Sequence, residues 1–506
     1  MLFNKRFDID QPYIRLFIII FVAAVLSKGS VLFRGFAIDD YVLMSGNNSE
    51  DLGVYFTQGR YISAAIVWVI HSIGVNISDM YLSLGILTLL LQSAFVASII
   101  RFVGMEDAPA AGLVGAIMVA HPYLTEIYTF RMALPFYSVA LILSIIALEM
   151  VTKSPATYRT RAFALLTTFA MLFTYQVFLN YFAVAIIFVF IFGQVLHNND
   201  RSSNNVYRER AITLTIISAI SAITFYAIVW LSKVLGLAIG EGRSNIIAFD
   251  KIPERIEQIS STLVNIYRRA EPVFPGRLKT LVGLLLVISV VIVFWNVFRK
   301  KGKGNYKSNI FLTFIAFLLL IPVSLGVIIP LENWWPVPRV IAHVSIIIGL
   351  LFLLADACMP DPGNIFLKST ITFFRIIILI GFVFLSNQML ADQQKINQWD
   401  KMTANRIIAR LEMHSNFSKA KFVHINGGLW GFPASLRTPQ GDMNISAFSP
   451  AWSKVPLLSE VSGYRFEKAD GSKAAVGETY CADRQPWPNA ESVTVENDLA
   501  IICLQK

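Results

Sequence analysis

The chain has 506 residues, of which 55% are hydrophobic and only 15% charged, and its mean hydropathy is +0.59. Soluble domains carry about 25% charged residues, so a water-soluble fold is excluded, and recurring apolar runs long enough for about 30 Å of hydrocarbon indicate a polytopic membrane protein. The net charge of +10 does not argue for nucleic acid as a partner, because Lys and Arg cluster in short loops between apolar runs, where they set topology.

In chain order, Lys5, Arg6 and Arg15 precede "LFIIIFVAAVL". No small-x-small cleavage motif follows, so this run reads as an uncleaved first span. Spans are predicted at about 13–34, 80–101, 109–124, 133–151, 162–176, 179–197, 211–236, 279–298, 308–330, 339–357 and 369–390. Residues 61–74, "YISAAIVWVIHSIG", are apolar but too short to span and predict an interfacial helix in the first external loop. With eleven spans and a cytoplasmic N-terminus, the basic loops, including Arg299, Lys300, Lys301 and Lys303, all fall inside. A twelfth span at 61–74 would turn every later basic loop outward.

After residue 391 the composition changes. A helical stretch, "ADQQKINQWDKMTANRIIARLEM", leads into strand-like runs "KFVHI", "SVTVEN" and "LAIICL" between turns. The chain thus divides into a membrane domain, 1–391, and a small α+β domain, 392–506. An odd span count puts the second domain outside. In an oxidising compartment Cys481 and Cys503 are expected to pair.

The external face collects polar residues that hydrocarbon would exclude. The first loop holds Asp39, Asp40, Tyr41 and, in "QGRY", Arg60. The second external turn, "AHPYLTEIYTFRMALPF", holds His121, Glu126 and Arg131, and "LENWWPVPR" holds Trp334, Trp335 and Arg339. Arginines at headgroup depth suit a lipid phosphate. Aromatic faces and carboxylates suit a sugar, and a carboxylate can take the proton from an attacking hydroxyl. Each feature has a plainer reading. Asp39 and Asp40 suit a helix N-cap, Glu126 and Arg131 a structural pair, and the tryptophans an interfacial belt. The cysteines and histidines fit no metal spacing. A flippase, O-antigen polymerase or transporter would need charges in mid-span, and few are present.

In order along the chain, "FAIDDYVLMSG", a "GR" ahead of an apolar helix, the turn Pro122, Glu126, Arg131, Pro135 and the closing "CADRQPWPNAESVTVENDLAIICL" resemble the serotype-converting O-antigen glucosyltransferases of enterobacteria and their phages, the glucosyl transferase II type. The "DD" of the first loop is similar to that of multi-span glycosyltransferases of the C class (GT-C) that use polyprenyl-phosphate sugars. The resemblance implies a mostly α GT-C fold in the bacterial inner membrane with a periplasmic C-terminal domain. It also implies an inverting transfer of glucose from undecaprenyl phosphate to O-antigen, with no cofactor, and serotype conversion as the outcome. A small flippase and a carrier-lipid glucosyltransferase would supply the donor. By the same resemblance Asp39 or Asp40 is the general base, Arg60 and Arg131 meet the donor phosphate, and Glu126 contacts sugar or acceptor.

Overall fold

The computed structural model of the protein describes residues 11–33, 35–41, 48–153, 157–196, 201–236, 245–266, 276–299, 306–359, 365–429 and 445–505. The first half of the chain gives α1 (Gln11–Lys28), α2 (Asn48–Thr57), α3 (Tyr61–Ser72), α4 (Tyr81–Phe102), α5 (Ala111–Ala120), α6 (Pro122–Thr129), α7 (Leu134–Thr152), α8 (Tyr158–Thr174) and α9 (Phe178–Leu196). Then come α10 (Arg201–Val234), α11 (Ile252–Val264), α12 (Gly276–Arg299), α13 (Tyr306–Val323), α14 (Val344–Cys358) and α15 (Ile365–Glu412). The C-terminal part adds β1 (Phe422–Asn426), α16 (Lys454–Ser462), β2 (Glu467–Lys468), α17 (Gly471–Ala482), β3 (Val493–Glu496) and β4 (Leu499–Cys503).

Every expected span position holds a helix, but not every helix is long enough to cross. Among the described residues seven are: Gln11–Leu32, Tyr81–Phe102, Arg131–Thr152, Phe178–Leu196, Asn204–Val234, Arg277–Arg299 and Ile365–Glu412. The other positions are shorter for local reasons. The expected span 109–124 breaks after ten residues, because Pro122 cannot donate to the ladder and instead starts α6, with His121 accepting from the Tyr123 amide as its cap. The "HPYLTEIYT" segment is therefore not an open external turn but a helix whose eight residues are all buried. The expected span 308–330 stops at Val323, one residue after Pro322, and the expected 339–357 begins only at Val344. The expected break between 176 and 179 is present, with α8 and α9 separated at Tyr175, Gln176 and Val177. The twelve residues of α3 cover about 18 Å at about 1.5 Å each and do not span.

The expected boundary at residue 391 lies within α15. α15 runs for 48 residues, about 70 Å at about 1.5 Å per residue, and joins the membrane bundle to the C-terminal domain without interruption. Its last turns bury Ala404, Ile407, Ile408 and Leu411 against a four-stranded sheet ordered β2-β1-β4-β3. β1 is parallel to β2 and β4, and β3 is antiparallel to β4. Alternation along the central strand β4 explains the layers. Ala500 and Ile502 face the cluster built on α15, while Leu499, Ile501 and Cys503 face a second cluster with Cys481 of α17. Cys481 and Cys503 are disulfide-bonded, fastening α17 to β4.

Candidate active site around Asp39 and Asp40

Phe33 and residues 35–41 lie between the bundle and the C-terminal domain, and several long-range contacts hold them there. Asn397 of α15 grips the backbone of Phe36: its Oδ1 accepts from the Phe36 N–H at 2.7 Å and its Nδ2 donates to the Phe36 carbonyl at 2.8 Å. Gly35 lies so close that a Cβ would sit 3.2 Å from Asn397 Oδ1. Lys401, one turn further along α15, lies 5.6 Å from the centre of the Phe36 ring. Phe36 and Tyr41 are buried in the cluster that forms the core of the C-terminal domain. Tyr41, expected to meet substrate, is fully buried in this cluster.

Arg131 holds the same segment from the other side. It donates through Nη2 to the carbonyls of Phe33 and Val31 and lies over the Tyr81 ring at 4.5 Å. It is 3% exposed. A guanidinium engaged with backbone carbonyls in this way orders the loop.

The two aspartates occupy different surroundings. Asp40 is fully buried, its Oδ2 accepting from the Ala37 N–H and its Oδ1 from the Met132 N–H, both at 2.8 Å. Burial raises its carboxyl to about 7, against the opposing pull of the Met132 and Ala37 amides and of Arg131. Asp40 thus ties the first loop to the turn that starts α7. Asp39, its neighbour, is partly exposed.

The remaining expected residues form three other clusters. Glu126 is fully buried and paired with Arg339, whose Nη1 and backbone N–H donate to its two carboxylate oxygens at 2.7 and 2.5 Å. Arg339 also covers the Phe130 ring at 4.3 Å. Glu126, expected to contact sugar or acceptor, thus forms an ion pair with Arg339. His121 is buried as the cap of α6.

Arg60 belongs to the α8–α9 break. Its Nε donates to Gln176 Oε1 at 3.1 Å, Gln176 Nε2 donates to the Gln58 carbonyl at 3.0 Å, and its guanidinium lies 4.8 Å from the Tyr175 ring centre. The glycine of "GR" is required, because Gly59 has φ +70° and a Cβ there would stand 2.6 Å from Val229. Trp334 lies under Arg255 at 4.6 Å, with Arg255 also donating to the Glu332 carbonyl at 3.0 Å, while Trp335 is 38% exposed. Among the described residues no three His, Cys, Asp or Glu side chains gather as a metal-binding group.

Sequence reasoning missed Asn397, Gln393 and Arg255. The first two recur at helical spacing with Lys401 on α15, a polar stripe that reads as a solvated face until the loop is placed against it.

The family model for Glucosyl transferase GtrII matches residues 29–355. Comparison with curated proteins and with solved structures returns no match. The matched stretch includes Asp39, Asp40, Arg60, Glu126, Arg131 and Arg339 and covers well over half of the chain, and the protein belongs to the GtrII family of glucosyl transferases.

Proposed function

We propose that the protein transfers glucose from undecaprenyl-phosphate-glucose to O-antigen on the periplasmic face of the bacterial inner membrane, with Asp39 as general base. The observation that carries the assignment within the pair is their contrast. Both oxygens of Asp40 accept backbone amides inside the protein, while Asp39 beside it is partly exposed. As the acceptor hydroxyl attacks the anomeric carbon, Asp39 takes its proton. The bond from that carbon to the phosphate oxygen breaks, and undecaprenyl phosphate leaves with the electron pair, inverting the centre. Arg60, partly exposed above Tyr175, is the candidate for the leaving phosphate. Asp40, Arg131 and Asn397 set the position of the loop.

The orientation rests on loop charge: the seven long helices together with α5–α6, α8, α13 and α14 make eleven crossings, which leave the basic loops inside and the C-terminal domain outside. The bonded pair Cys481 and Cys503 supports an oxidising compartment for that domain. The donor then comes from a separate carrier-lipid glucosyltransferase and a small flippase.

The test is the mass of the glycan made by cells carrying the wild type, Asp39→Asn or Asp40→Asn protein. One added hexose is expected for the wild type and none for Asp39→Asn. Asp40→Asn is expected to lower the amount of folded protein as well as transfer. An Asp39→Asn protein that adds hexose at the wild-type rate refutes the assignment.

A further inference from the structure

One side of α11 is fastened to the bundle by contacts remote in sequence. The Glu332 N–H donates to the Asn245 carbonyl at 2.7 Å, and the Ile247 N–H donates to the Pro330 carbonyl at 2.9 Å. Lys233, at the end of α10, donates to Asn245 Oδ1 at 2.6 Å. Arg255 is buried and donates to the carbonyls of Ile328 and Glu332 at 3.3 and 3.0 Å. The helix is thereby fixed to the ends of α10 and α13. The chain leads from there to Arg339, the partner of Glu126, so α11 lies on the same side of the membrane as the aspartate loop.

Helical spacing gives α11 three different sides. Ile252, Ile256, Ile259 and Leu263 form one apolar stripe. Arg255 flanks it toward the protein, while Glu254, Glu257 and Ser261 lie across from it and are exposed. Ile259 and Leu263 pack on the bundle core. The stripe's other end is bare: Ile252 is 40% and Ile256 62% exposed, and Ile246 and Phe249, just before the helix, are 66% and 91% exposed. Phe249 precedes Ile252 by three residues through the short turn Phe249–Lys251, so the apolar edge runs from that turn into the helix. Single exposed apolar residues are ordinary, whereas a contiguous group marks a contact.

The surroundings select lipid as what covers this edge. Trp230, Leu231 and Val234 are exposed at the end of α10, a helix long enough to cross the membrane, so they face hydrocarbon. The edge begins beside them, tied through Lys233, and continues the same surface at its headgroup end. A stable protein interface takes about 20–30 residues a side, far more than these four. We infer that α11 is an interfacial helix whose edge of Ile246, Phe249, Ile252 and Ile256 sits among the acyl chains of the leaflet on the side of Asp39, with Glu254 and Glu257 in water. Seated so, α11 sets the depth of the segment that Arg255 grips, including Trp334 beneath its guanidinium.

The test places a fluorophore on Phe249→Cys, Ile256→Cys or, on the water side of the helix, Ser261→Cys. The full-length protein is held in phosphatidylcholine nanodiscs with nitroxide-labelled acyl chains. All three side chains are exposed, so the fold tolerates the replacements. Cys358 is buried and Cys481 and Cys503 are bonded, so the introduced thiol takes the label. The labels at 249 and 256 should lose fluorescence to the nitroxide lipids and resist iodide in the water, and the label at 261 should do the reverse. Labels at 249 and 256 that iodide quenches as readily as the one at 261 place the edge in water and overturn the inference. Labels there that neither quencher reaches mean that protein covers the edge, which overturns it equally. Either failure leaves the proposed glucosyl transfer standing, since no step of it uses this edge.

Discussion

Asn397→Ala isolates what the C-terminal half of α15 does for the aspartate loop. The substitution removes an acceptor from the Phe36 N–H and a donor from the Phe36 carbonyl. Phe36 is 2% exposed, so water does not readily replace either bond. Leaving a buried backbone group unpaired costs about 1–3 kcal/mol, and two such groups cost about 2–6 kcal/mol. The lower bound already shifts the loop's order–disorder equilibrium by about 30-fold. Asn397→Asp keeps the acceptor, loses the donor and sets a carboxylate against a carbonyl, so it recovers only part of the loss. Hydrogen exchange at the Phe36 amide reads the loop directly, and glucosyl transfer reads its consequence. Faster exchange with transfer reduced in the order Ala, then Asp, then wild type is expected. Wild-type exchange and transfer in Asn397→Ala would refute the idea that α15 positions Asp39.

Three further outcomes follow from other contacts. Arg339→Ala and Glu126→Ala should each lower stability, by up to about 3–5 kcal/mol, since each breaks the ion pair at a fully buried carboxylate, and the double variant should lose less than the sum in thermal melts. Asp40 has a folded-state pKa of about 7, above the ordinary carboxylate value of 3.8. The native state therefore binds its proton more tightly, so the stability Asp40 contributes is full below about pH 4 and is lost as pH rises through about 7. Melts between pH 5 and 8 should carry a slope of up to about 1.4 kcal/mol per pH unit that Asp40→Asn abolishes. Replacing Cys481 and Cys503 with Ser opens a loop of 22 residues. The chain-entropy relation gives a loss of about 3 kcal/mol, and an unchanged urea midpoint for the oxidised protein would contradict it.

Much of the architecture was readable because it depends on local pattern. Apolar run length located the helices, the three strand-like runs became β1, β3 and β4, and the pair Cys481–Cys503 followed from compartment and count. The contacts that are remote in sequence were not readable in this way. Arg131 and Glu126 look the same in a sequence whether they meet a ligand or a residue far along the chain. Their partners, Phe33 and Arg339, are separated from them by 98 and 213 residues. His121 sits inside an unbroken apolar run, and only the geometry of Pro122 shows that the helix restarts there. Likewise the sequence offers two adjacent aspartates, and it takes the amides of Ala37 and Met132 to mark Asp40 as the fully buried carboxylate beside the partly exposed Asp39.

The unbroken course of α15 also fixes a phase. Asn397 and Lys401 point at the aspartate loop, while Ala404, Ile407 and Leu411, further along the same rod, point into the sheet's core. One residue inserted between 391 and 397 would turn everything beyond it by about 100° and shift it by about 1.5 Å, taking the amide of Asn397 off Phe36 and drawing Phe36 and Tyr41 out of the domain's core. An insertion of seven would restore the angle but lift the domain by about 10 Å. The helix therefore behaves as an indexed shaft, whose length and angle are both set by the loop it must reach. Exchange of the C-terminal domain between relatives would have to join the chains beyond residue 412, where the helix has ended, to keep that index.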